Sequence, residues 1–136
     1  IRDRDTIVIM TTNLDYVGCQ NFNQSVLSRM NLIQPKEALT EEEMAKRAMK
    51  RTGFKNKELL SFVTATVCKI HEYLIEQDIT DGVCGYRELE NWVLSYIVSN
   101  DLRRSAWTAL LSKASMDREE RGTMERVFLL PHCDVD

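Results

Sequence analysis

The spacing of apolar residues changes once along the chain, near Pro35. Before it, Thr6-Ile7-Val8-Ile9-Met10 is an unbroken apolar, β-branched run between charged residues and Thr11-Thr12-Asn13. A run of that length predicts a strand buried on both faces, as in a parallel sheet. Asn13 to Gln20 carries Asn, Asp and Gly and predicts a loop. A short helix is expected from about Phe22 to Met30, capped by Asn21 or Asn23, with Phe22, Val26, Leu27 and Met30 on one side. Asn31 to Gln34 predicts a second short strand, stopped by Pro35.

Beyond Pro35 the period lengthens to three or four and only helices are expected. Thr40-Glu41-Glu42-Glu43 has the pattern of a capping box, opening a helix that runs to about Arg51 and stops at Thr52-Gly53. Leu60, Val63, Val67, Ile70 and Leu74 predict a long helix over Lys57 to Gln77. Asp78 to Gly85, with two glycines, is a loop. Three helices follow: Tyr86 to Val98 (Leu89, Trp92 or Val93, Tyr96, Ile97), Leu102 to Lys113 (Trp107, Leu110, Leu111), and a short one capped by Asp117 that carries Met124, Val127 and Phe128. The tail Pro131 to Asp136 has no pattern.

The expected fold is mainly α: a strand–helix–strand piece of an α/β core over 1–35, then a bundle of four to five helices over 36–136, with the boundary at Pro35 to Leu39. The helical part should fold as a unit by itself. At 136 residues, 43% hydrophobic and 29% charged, the composition is that of a globular protein with a real core. A net charge of -3 argues against nucleic acid or an anionic membrane as the main partner. Without an export signal or an apolar run near 20 residues, Cys19, Cys68, Cys84 and Cys133 read as reduced thiols in a cytoplasm. The start at Ile1, without a methionine, reads as a cut through a larger protein.

Three segments carry a resemblance. Ile7-Val8-Ile9-Met10-Thr11-Thr12-Asn13 is an apolar run ending in Thr-Thr-Asn, Asn23 to Met30 holds Ser28-Arg29-Met30, and Gly85-Tyr86-Arg87-Glu88-Leu89 opens a helix. In this order they resemble the sensor-1 strand, the arginine-finger segment and the sensor-2 helix of an AAA+ ATPase. Spacing and the short lid loop are most similar to the MoxR-like, dynein-related branch. The resemblance extends to about Phe128.

It implies that Asn13 holds the attacking water, that Arg29 acts as a finger on a neighbouring subunit's nucleotide, and that Arg87 contacts nucleotide from the lid. It also implies ATP and magnesium as ligands of the whole module, and a homo-oligomeric ring, a hexamer, acting on a protein client. The residue types suit the task, since phosphoryl transfer is catalysed by positioning and charge stabilisation. An amide adds no charge, while a guanidinium offers planar, permanently charged donors to phosphate oxygens. A helix N-terminus, where Arg87 falls, already favours an anion. The same residues also fit plainer roles: Asn13 as a turn residue, Arg29 against a helix dipole, Arg87 on a solvated face or beside Glu90.

The chain departs from the family where nucleotide is gripped. None of its five glycines is followed by lysine, so there is no Gly-x-x-x-x-Gly-Lys-[Ser/Thr]. No apolar strand ends in Asp-Glu, and Ser28-Arg29-Met30 stands where the branch has Asp-Arg-Phe. The chain by itself is therefore expected to be inactive and to bind ATP weakly.

Other patterns are weaker. Cys68 and His71, with His132-Cys133, lack the paired spacing of a zinc site, and Cys68 reads as a core thiol. Lys46, Arg47, Lys50, Arg51, Lys55 and Lys57 form a basic cluster without interleaved aromatics, which reads as a solvated face. The rival to a motor fragment is a helical interaction or regulatory module that binds no nucleotide. A small helix–turn–helix DNA-binding domain is a distant third.

Overall fold

The computed structural model describes residues 5–12 and 23–133, without the side chains of His132 and Cys133. The chain divides into two units, Ile1–Glu37 and Ala38–Asp136.

In the first unit the only regular element among the described residues is α1, Gln24–Leu27, shorter than expected. Asn23 caps it, its side-chain oxygen accepting the Ser25 N–H at 3.0 Å. The helix buries no residue completely, and a helix this short does not propagate without packing to support it. The two expected strands are corrected: among the described residues none is in a strand, so no partial α/β core is formed here. A strand exists only by pairing with a neighbour, and Thr6–Met10 and Leu32–Ile33 have none among these residues. Ile7 is 84% and Ile9 82% exposed.

Among the described residues the second unit is a bundle of five helical stretches. α2, Glu41–Thr52, begins with the expected capping box: Thr40 Oγ1 accepts the Glu43 N–H at 3.3 Å, and Glu43 Oε2 accepts the Thr40 N–H at 2.9 Å. It ends at Gly53, whose φ of 73° is the left-handed conformation glycine adopts without cost. α3, Lys57–Glu76, follows an Asn56 cap, and α4, Tyr86–Ser99, stops at Asn100, also left-handed. α5 spans 102–114 from an Asp101 cap, α-helical at each end and π-helical over Trp107–Leu111. α6 spans 118–133 from an Asp117 cap, with a π-helical stretch at Glu125–Leu129.

The core lies between α3, α4 and α5, flanked by α2 and α6. On α3 the buried residues include each position of the predicted stripe, Leu60, Val63, Val67, Ile70 and Leu74. On α4, Leu89, Trp92 and Val93 are buried, but Ile97 is about half exposed, so the expected stripe ends one turn early. Trp92 crosses to the next helix, its indole N–H donating to the Leu102 carbonyl at 3.1 Å.

The π-helical stretch changes which face of α6 turns inward. Counting three and four from buried Met124 selects Val127 and Phe128; Phe128 does pack on the core, edge-on against Tyr73, but Val127 is exposed and Leu129 is fully buried. A π turn pairs residues five apart, which places a fully buried position at Leu129, five after Met124. The widened turn also lies just before Pro131, whose missing N–H and bulky ring oppose a regular α-helical turn. α6 therefore continues to Cys133, through residues expected to be patternless.

Candidate functional site

The three residues singled out by the sequence have different fates. Asn13 lies outside the described residues. Arg29 follows α1 by two residues, its N–H donating to the Val26 carbonyl at 3.2 Å and its side chain exposed. Complementing a helix dipole is a weak role here, because a four-residue helix has little dipole to complement. Arg87 lies in the first turn of α4, exposed, with no side-chain ion pair or hydrogen bond among the described residues. Arg29 and Arg87 belong to different units.

The support beneath Arg87 is extensive. Val83 donates its N–H to the Lys113 carbonyl at 2.7 Å, fastening the loop to the end of α5. Gly82 sits so close to that end that a Cβ built on it would meet the Ala114 carbonyl oxygen at 1.8 Å. His71 on α3 donates Nδ1–H to the Cys84 carbonyl at 2.8 Å, and the Cys84 thiol donates to the Val67 carbonyl at 3.4 Å. Gly85 donates its N–H to Glu88 Oε2 at 3.0 Å. Three helices thus fix the segment that leads into Arg87.

Electrostatics at this end of α4 differ from the sequence expectation. Glu88, only 8% exposed, places its carboxylate over the helix start, with Lys113 Nζ at 3.8 Å from its other oxygen. A carboxylate already answers the dipole there, so attraction for an anion rests on the Arg87 guanidinium rather than on free backbone N–H groups. Glu90 is also taken, by Arg51 Nε at 3.1 Å, which removes the simplest alternative for Arg87.

Tyr86 packs beneath Arg47, whose guanidinium lies 5.1 Å from the ring centroid. Its hydroxyl is buried beside Glu90, and burial, followed by interaction with the Glu90 carboxylate, pushes the phenol above its usual range. The basic cluster lies on an exposed face, as expected: Lys46 pairs with Glu42 at 2.7 Å in solvent, while Arg47 and Arg51 also reach across to Tyr86 and Glu90 on α4.

No group of three or more metal-ligating side chains occurs among the described residues. Cys68, expected as a core thiol, is partly buried and packs against the core, and Cys84 is buried within it. Burial above all, then the Glu88 charge and Cys68, push the Cys84 thiol up to about 12. Two surface depressions, one on α6 along Arg118, Gly122 and Arg126 and one between α2 and α3 beside Glu41, Glu42 and Ser61, include neither Arg29 nor Arg87. No helix among the described residues is long and apolar enough to cross a membrane.

Glu88 and Gly82 were missed although each leaves a trace. A glutamate three residues after a loop glycine is half of a capping-box pattern, and paired loop glycines mark close backbone approach. Comparison with known proteins adds no family: no family model, no curated protein and no solved structure matches the chain.

Proposed function

We propose that this chain is the lid-bearing portion of a MoxR-like AAA+ ATPase, which couples ATP binding and hydrolysis to remodelling of a protein client in a ring. The observation that carries the proposal is Arg87: an exposed guanidinium, unpaired among the described residues, on the first turn of a helix held by a loop fastened to three helices. A residue that senses nucleotide needs a rigid mount and a free charge. In such a module Thr6–Met10 would be paired within a larger sheet, which accounts for a strand-like apolar segment lying exposed. ATP and magnesium would be held mainly by a phosphate loop elsewhere in the module. Asn13 would orient water and Arg29 would reach a neighbouring subunit's nucleotide.

The test uses the protein that contains this chain. Its reading frame should encode a Gly-x-x-x-x-Gly-Lys-[Ser/Thr] segment within about 100 residues before Ile1, roughly half a domain. Arg29→Ala should reduce turnover by about 10³–10⁵, the range for trans-acting fingers, while nucleotide still binds. Arg87→Ala should uncouple the lid, seen as lost ATP-induced protection from hydrogen exchange over Gly82 to Leu89. Absence of a phosphate loop, or normal turnover and normal protection in both variants, sinks the proposal.

One observation favours a helical interaction module instead. Leu94, Ile97 and Val98 lie on the outer side of α4, with Val98 89% exposed. On that account Val98→Asp abolishes function in a protein without ATPase activity.

A further inference from the structure

We draw no further inference here: the strongest candidate, the solvent-facing apolar strip of Leu94, Ile97 and Val98 on α4, is an unpartnered helix face, and nothing in the structure shows what covers it.

Discussion

Gly82→Ala tests whether the loop before α4 is packed as described. The new methyl carbon would stand 1.8 Å from the Ala114 carbonyl oxygen and 2.3 Å from its carbon. Both are backbone atoms, so no side chain can rotate away; the loop and the end of α5 must separate by more than about 1 Å to restore van der Waals contact. Overpacking of this kind costs about 1–3 kcal/mol. Separation also stretches the 2.7 Å bond from Val83 N–H to the Lys113 carbonyl, worth about another 1 kcal/mol. The total is about 2–4 kcal/mol, which lowers Tm by on the order of 10 °C or more in a unit of this size. Urea unfolding followed by circular dichroism measures it, with an unchanged slope showing that only stability has moved. Gly122→Ala is the matched control. A Cβ there meets nothing within 4 Å, and mid-helix alanine is favoured over glycine by about 0.5–1 kcal/mol, so that variant should be more stable than the parent. If Gly82→Ala unfolds within about 0.5 kcal/mol of the parent, a normal surface-substitution effect, the close approach is refuted.

Three further outcomes are expected. Leu129→Ala should cost about 2–5 kcal/mol and Val127→Ala under about 1, since only the former is buried; the reverse order in chemical denaturation would restore a regular α-helical register to α6. Burial opposes ionisation of Glu125, but the Arg103 guanidinium at 2.6 Å, the Trp107 indole and Arg126 outweigh it and hold the carboxyl below its usual value. Its contribution is therefore present above the unfolded-state pKa and lost as pH falls through the lower folded value, so the Tm gap between parent and Glu125→Gln should shrink from pH 7 to pH 3; a constant gap would refute it. Cys84, buried and with its thiol pushed up to about 12, should resist alkylation in the folded chain and react only as the chain opens, so half-buried Cys68 is modified before Cys84 in a time course followed by mass spectrometry.

The helices of the second unit were visible in the sequence because their signals are local. Thr40 with Glu43, Gly53 and Asp117 each act on the nearest turn, and the α3 stripe follows from spacing alone. What was not visible depends on distant partners. Thr6–Met10 has the composition of a strand, but composition supplies no neighbour to complete the ladder. The π-helical stretches were also missed, since Glu125–Leu129 is an apolar-rich run that fits an α-helix equally well by spacing. At the candidate site the sequence singled out Arg87 but not its mount, because His71 and Cys84 are thirteen positions apart and the contact between them is tertiary.

The fastened loop also limits how this protein can vary. Exposed connections ordinarily tolerate insertions and deletions, because lengthening a flexible loop costs little entropy. Between Gly82 and Gly85 that freedom is gone: Val83, Cys84 and Gly85 each engage a different helix, so one added residue would put most of those bonds out of step. The turn around Gly53 is held less closely: Phe54 packs edge-on against Tyr96, but a Cβ on Gly53 would meet nothing within 4 Å and, among the described residues, no backbone hydrogen bond of the turn reaches another helix. A tag, a reporter peptide or a circular-permutation break therefore belongs near Gly53, and natural length variation should collect there while the approach to α4 keeps a fixed number of residues.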